Sequence, residues 1–252
     1  MAEQEDGSMP LTSHLFELRR RLIISVIAAA AGFLICYTFS EALFQFLAAP
    51  LVEALPPGTT SLVFLGVVEP FFTYLKVSVV AGIVLASPII LHQVWGFVAP
   101  ALYEEERRWF LPIVLCSTVF FFLGLLFAYK VVFPFGFTYL LSFAHEELRP
   151  ELSIALYFSV AIKLLIAFGI VFELPFFMTI FARFGMVDAP LFSRYRRYAI
   201  VLAVIFAALL TPPDIFSQLL MAGPVILLYE LGIIGARVFG KKKESGESGD
   251  ES

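Results

Sequence analysis

Long apolar runs separated by short polar breaks dominate this chain. The runs are Leu22–Phe39, Phe71–Leu91, Phe110–Val132, Leu156–Phe181, Tyr198–Leu210 and Phe216–Gly235. A helix needs about 20 apolar residues to cross a hydrocarbon core of about 30 Å, and most of these runs approach that length. They lack the polar stripe of a helix that lies on a soluble core. The pattern therefore predicts an all-α polytopic membrane protein with six transmembrane helices. Tyr198–Leu210 has only 13 residues, about 20 Å of helix, and Thr211-Pro212-Pro213-Asp214 blocks its extension. The sixth run carries the kink-prone Pro224 and the polar Gln218, so the fifth and sixth helices are both expected to be short. A short span must thin the bilayer or lean on its neighbours. Pro88 is expected to interrupt the second run.

The breaks predict the rest of the organisation. Residues 1–9 form an acidic lead expected to be disordered, and 241–252 are a Gly/Ser/acid tail expected to be disordered as well. Residues 10–240 make up the transmembrane domain. His14–Arg21 is expected as a short amphipathic turn at the membrane surface, ahead of the first span. Ser40–Pro70 contains no Lys or Arg, has Pro50 and a Pro56-Pro57-Gly58 turn, and carries a second apolar patch at Leu62–Val68. It is expected to hold one or two short helices. Pro134–Leu152 is expected as an outside segment and Ala182–Arg197 as an inside loop.

Charge orients this scheme. Thirteen of the 17 Lys and Arg fall in segments the topology places inside: Arg19–Arg21, Arg107 and Arg108, Arg183 with Arg194, Arg196 and Arg197, and Arg237 with Lys241–Lys243. The positive-inside rule then places both termini in the cytoplasm. The short acidic N-terminus is neither a cleavable signal peptide nor an Arg-rich transit peptide, which favours a prokaryotic plasma membrane. Composition agrees with the spans: the chain of 252 residues is 60% hydrophobic and only 15% charged, against about 25% charged for a soluble domain. No basic stripe suited to nucleic acid exists outside the membrane flanks. Cys36 and Cys116 fall at opposite predicted depths and are not expected to pair. The histidines show no metal spacing, and no phosphate loop, zinc helix or nucleophile elbow is present. Neither an enzyme nor a cofactor or metal site is predicted.

Two places carry candidate chemistry. The first is Gln93–Pro112, QVWGFVAPALYEEERRWFLP. On a helix, Glu104 would face Arg107 and Arg108, and Glu105 would face Arg108. Glu106 has only Trp109 and Phe110 at those offsets, which makes it a candidate for an external cation; a solvated loop acid is the plainer reading of the same pattern. The second is Glu173, an acid within LIAFGIVFELPFFMTIF. A charge at such depth costs a few kcal/mol, so it should face a protein interior or a partner helix, and Pro175 frees a backbone carbonyl nearby. Lys163 and Lys76 are expected to snorkel to the outer interface. Glu230 is expected to meet Arg237 two turns away.

The motifs HLFELRRRL (14–22), SPIILHQVWGFVAPALYEEERR (87–108), FELP (172–175) and LLTPPDIFSQ (209–218), with APL (49–51) and EPFF (69–72), resemble the TatC family. This family is the membrane core of the twin-arginine protein translocase, and the resemblance runs from about Pro10 to Arg237. It implies a core receptor subunit that binds twin-arginine signal peptides at the cytoplasmic face. With single-span partners of the TatA and TatB type it would export folded proteins at the expense of the proton-motive force. It also implies self-association within that complex. The family's signal-peptide site maps to Glu17, Glu106 and Phe97, with Arg19, Tyr103 and Arg107 beside them. Its intramembrane and partner-binding polar residues map to Glu173, Asp214 and Gln218. Because Glu17 has Arg20 at i+3 and Arg21 at i+4, it is expected to be partly neutralised. The alternatives weighed on the residues alone are a proton-coupled secondary transporter of a small solute, working through Glu173, and a structural scaffold.

Overall fold

The computed structural model describes residues 11–55, 63–98, 110–142, 153–210 and 215–240. The elements are α1 (Leu11–Thr38), α2 (Ser40–Ala54), α3 (Glu69–Val98), α4 (Phe110–Phe127), a π-helical turn (Ala128–Val132), α5 (Phe133–Leu141), α6 (Ile154–Arg183), α7 (Ala189–Arg194), α8 (Arg196–Leu210) and α9 (Ile215–Phe239). The predicted lead (1–9), the tail (241–252), the Pro-Pro-Gly turn and the loop bearing Glu106 lie outside the described residues. Among the described residues, five helical stretches are long and apolar enough to cross a membrane: Leu15–Thr38, Glu69–Phe97, Phe110–Leu141, Ile154–Arg183 and Ser217–Phe239. The described chain divides into two compact units, one drawn from Met1–Ala48 and Phe64–Thr118, the other from Ala49–Val63 and Val119–Ser252.

In the first unit, α1 and α3 pack antiparallel. They cross where two glycines meet. A Cβ on Gly32 would lie 2.4 Å from the Gly82 carbonyl oxygen, and one on Gly82 would lie 2.4 Å from the Phe33 nitrogen. Only residues without a side chain let two backbones approach this closely, the usual device of membrane helix pairs. The expected surface turn His14–Arg21 is instead the first part of α1. No Gly or Pro lies between Leu11 and Ala31 to break it, and the Glu17–Arg21 ion pair at i,i+4 runs along that stretch. Pro88 does not interrupt α3 either. A proline removes one hydrogen bond, here to the Val84 carbonyl, and can kink a helix without ending it. The Phe44 and Tyr74 rings meet at 5.1 Å.

In the second unit, the third apolar run continues past its expected end at Val132. The reason is the π-helical turn: the Phe133 N–H bonds the Ala128 carbonyl, five residues back, so Pro134 falls at the start of α5. There its missing N–H is one the helix does not need. The expected outside segment Pro134–Leu152 is therefore helical through Leu141. Aromatic rings then pack in series, Phe127 on Phe168 and Phe172 (5.5 and 5.3 Å) and Phe137 on Tyr157 (5.0 Å). α6 begins where the Ile154 N–H meets the Val63 carbonyl at 3.1 Å. It ends at Gly185, whose φ of +68° suits glycine. There the Gly185 and Met186 N–H groups close on the Ala182 and Phe181 carbonyls, a Schellman closure. Val171, Ala203, Val225 and Leu228 join α6, α8 and α9 in one buried cluster.

The expectation of two short final helices holds for only one of them. α8 has 15 residues, about 22 Å. α9 has 25, about 37 Å, because it runs past Pro224 and on beyond Glu230 to Phe239. The expected inside loop Ala182–Arg197 contains α7, which is fixed to α9 by the Tyr229 hydroxyl donating to the Phe192 carbonyl (2.8 Å) and by Arg237 donating to the Ser193 hydroxyl (2.7 Å). Glu230 does not meet Arg237. It pairs with Arg196 of α8 at 2.6 Å, and that contact replaces the one expected along its own helix. Cys36 and Cys116 are both free thiols.

Candidate functional site

The described part of the candidate peptide site lies in the first unit, at the arginine-bearing end of α1 and the C-terminal end of α3. Three arginines in a row point in three different directions around the helix, because successive residues are rotated by about 100°. Arg19 and Arg20 are exposed. Arg21 turns towards α3: its guanidinium donates to the Gln93 carbonyl at 3.4 Å and to the Glu17 carboxylate, the latter at 3.1 Å from Nε. Gly96 makes room for it. A Cβ there would fall 1.8 Å from Arg21 Nη1, so the end of the guanidinium occupies the space a side chain would take on α3. Trp95 on one side of Gly96 is buried, and Phe97 on the other is half-buried.

Glu17 and Arg21 keep 27% and 22% of their side-chain surface exposed. The carboxylate is thus neutralised by its own helix but remains within reach of a solute. One such pair is worth about 0.3–0.5 kcal/mol on a helix surface. His92, next to Gln93, packs its ring edge-on against Phe110 at 5.0 Å. The two ends of the loop that carries Glu106, at Val98 and Phe110, therefore both rise near the Glu17–Arg21 cluster. Glu106, Tyr103 and Arg107 themselves lie outside the described residues.

The expected intramembrane residues belong to the second unit. Glu173 is buried on α6 at 5% exposure, in keeping with an acid that faces protein. Six residues on, the Thr179 hydroxyl donates to the Pro175 carbonyl at 2.7 Å. Gln218 is half-buried, and its amide donates to the Val204 carbonyl at 3.1 Å, tying the start of α9 to α8. Asp214 lies outside the described residues. Lys163 sits on the exposed stripe of α6 with Leu156 and Ile170. Among the described residues no group of three or more His, Cys, Asp and Glu is placed to hold a metal ion.

Sequence reasoning paired Glu17 with its neighbours but missed the role of Arg21, Gln93 and Gly96. The Arg21 contact with Gln93 spans 72 residues, so no local spacing announces it. The one available signal was a glycine between two aromatics, in WGF, inside a helix where glycine is costly.

These features define a multi-span α-helical membrane protein with a carboxylate–arginine cluster at one end of a tightly crossed helix pair and a buried acid in a second helical unit. The family model described as Sec-independent protein translocase protein (TatC) matches residues 13–224. A TatC protein of Desulforapulum autotrophicum is 47% identical, covering 98% of this chain and 91% of that one. The Escherichia coli K12 TatC is 38% identical over 93% of this chain and 90% of its own. A crystal structure titled twin arginine translocase receptor TatC superposes with a TM-score of 0.82 at 40% identity, covering 90% of this chain and 99% of that one. The chain belongs to the TatC family of Sec-independent protein translocase proteins.

Proposed function

We propose that this chain is the signal-peptide receptor and membrane core of a twin-arginine translocase, acting by binding and not by catalysing a reaction. It would lie in a prokaryotic plasma membrane with six spans, α8 being the short fifth one, and with both termini in the cytoplasm. The observation that carries this reading is the Glu17–Arg21 pair, seated on Gly96 and Gln93 at the foot of the loop that bears Glu106. Two carboxylates from separate segments suit two consecutive arginines, since each guanidinium takes a carboxylate in a bidentate geometry that lysine cannot copy. Arg19 and Arg107 would lie beside these acids in the same site, and Phe97 and Tyr103 would flank the adjoining apolar part of a signal peptide.

Glu173, Asp214 and Gln218 would serve the single-span partners of the TatA and TatB type. The buried carboxyl of Glu173 is costly to keep in a membrane interior and gains from a polar residue on a neighbouring helix. Export would draw on the proton-motive force, and the chain would self-associate within the working complex.

A photo-crosslinking experiment with a twin-arginine peptide tests the reading. Glu106→Ala should reduce crosslinking at least tenfold, Glu17→Gln severalfold, and replacement of the peptide's arginine pair by lysines should match the Glu106 variant. Undiminished crosslinking to a folded Glu106→Ala protein would refute the assigned site.

A further inference from the structure

The segment just before α3 is FLGVV, residues 64–68, followed by Glu69-Pro70-Phe71-Phe72. It presents its apolar side chains outwards: Val67 is 93% and Leu65 77% exposed, and Phe64, Val68, Phe71 and Phe72 are each more than half exposed. The one charged group in the segment is turned back on the turn itself. The Glu69 carboxylate accepts from the Leu65 N–H at 2.6 Å and the Gly66 N–H at 3.2 Å, and the Glu69 N–H bonds the Gly66 carbonyl at 3.0 Å. The turn thus ties its one carboxylate to two of its own backbone donors and offers a hydrocarbon surface.

The α1–α3 register fixes the height of this surface in the membrane. Arg21 contacts Gln93, and Gly32 meets Gly82, so each step along α1 is matched by one step back along α3. The arginines mark one face of the bilayer. From Arg21 to the end of α1 at Thr38 is 17 residues, about 26 Å, and there the chain turns into α2. From Gln93 back to Glu69 is 24 residues, about 36 Å, or about 34 Å for a helix tilted by about 20°. The hydrocarbon core is about 30 Å thick and each headgroup layer adds about 5–7 Å. Phe71 and Phe72 therefore stand at the hydrocarbon boundary and the turn lies in the headgroup layer. Lys76 stands one turn deeper, on the same exposed stripe of α3 as Phe72 and Val79. A lysine at that depth extends its ammonium up towards lipid phosphates.

We propose that the turn Phe64–Val68, with Phe71, Phe72 and Lys76, is an interfacial lipid anchor. It dips into the leaflet opposite the arginines and sets the depth of the α1–α3 pair. The occupant of this surface is phospholipid, which the height, the apolar face and the lysine beneath it all match. Interfacial binding of this kind grows with buried apolar area and with attraction to lipid phosphate.

The test uses the full chain with Cys36 and Cys116 replaced by alanine, carrying Val67→Cys or, separately, Leu65→Cys, labelled with an environment-sensitive fluorophore. The protein is reconstituted in liposomes of phosphatidylcholine and phosphatidylglycerol. Both labels should emit at shorter wavelength than in water and be quenched at least threefold more strongly by headgroup-attached nitroxide lipid than by aqueous iodide. Stronger quenching by iodide at both positions would overturn the anchor in favour of a water-facing turn. Shielding from both quenchers would overturn it in favour of a protein covering, a second copy if dilution in lipid restores lipid quenching and another protein segment if it does not.

Discussion

The crossing of α1 and α3 makes a sharp prediction for Gly82→Ala. The new methyl would sit 2.4 Å from the Phe33 nitrogen and 2.6 Å from its Cα, and neither atom can swing aside as a side-chain end would. The helices must part by about 1 Å or more to restore the ordinary 3.5–4.0 Å spacing, and a gap of that size forfeits a quarter to a half of each dispersion contact along the seam. Overpacking of this kind costs about 1–3 kcal/mol. Gly32→Ala meets the Gly82 carbonyl at the same 2.4 Å and should cost a similar amount. The double variant should cost less than the sum, by roughly 1 kcal/mol, since one separation relieves both clashes. Arg21 and Gln93 are each eleven residues from the crossing, about 16 Å away. Their 3.4 Å contact is already at the edge of hydrogen-bond range and should break when the helices splay. Equilibrium unfolding in mixed micelles gives the energies, and modification of Glu17 by a water-soluble carbodiimide gives the state of the pair. A neutral Gly82→Ala, or two strictly additive costs, would refute the close-crossing geometry.

Two further outcomes follow from the second unit. Arg196 and Glu230 remain 46% and 36% exposed, so Arg196→Gln and Glu230→Gln should each lower stability by less than about 1 kcal/mol, with the double variant little worse than either. A loss well above that, by the same unfolding assay, would mean that the pair is shielded from solvent. Gly185→Ala places a Cβ in open space but holds an L-residue at φ +68°, which should cost about 1–2 kcal/mol. Gly185→Asn should cost less, and equal melting temperatures for the two variants would argue against a left-handed closure of α6.

The spans were legible because membrane-crossing length is a composition signal. Each long helix announces itself as a run of apolar residues, as does the shorter α8, and arginines mark one end of several of them. What was not legible was how prolines would be absorbed. Pro134 looked like an outer boundary, and only the five-residue hydrogen bond from Phe133 to Ala128 shows why the helix survives it. Pro224 and the polar Gln218 suggested a short last helix, yet α9 runs through both to Phe239, and Glu230 finds its cation on α8. In the candidate site, Glu17 and its i+4 arginine could be paired from spacing alone. Gly96 could not be assigned a role, because its purpose is set by a guanidinium from a residue 75 positions earlier.

The state of Glu17 bears on how a receptor of the proposed kind can be both selective and reversible. A carboxylate left bare near a membrane surface would take any passing cation, lysine included. One held by Arg21 yields only to a competitor that improves on an existing guanidinium contact. The pair is partly exposed and linked at i,i+4, so the barrier it sets is small, about 0.5 kcal/mol. A single arginine therefore gains little by exchange. Two adjacent arginines gain twice, because the second reaches its own carboxylate once the first is seated, and the second contact forms at the high effective concentration of a tethered group. In the proposed receptor, preference for an arginine pair over isolated basic residues then arises from occupancy of Glu17 by Arg21 together with a second acid on the neighbouring loop, without a deep pocket.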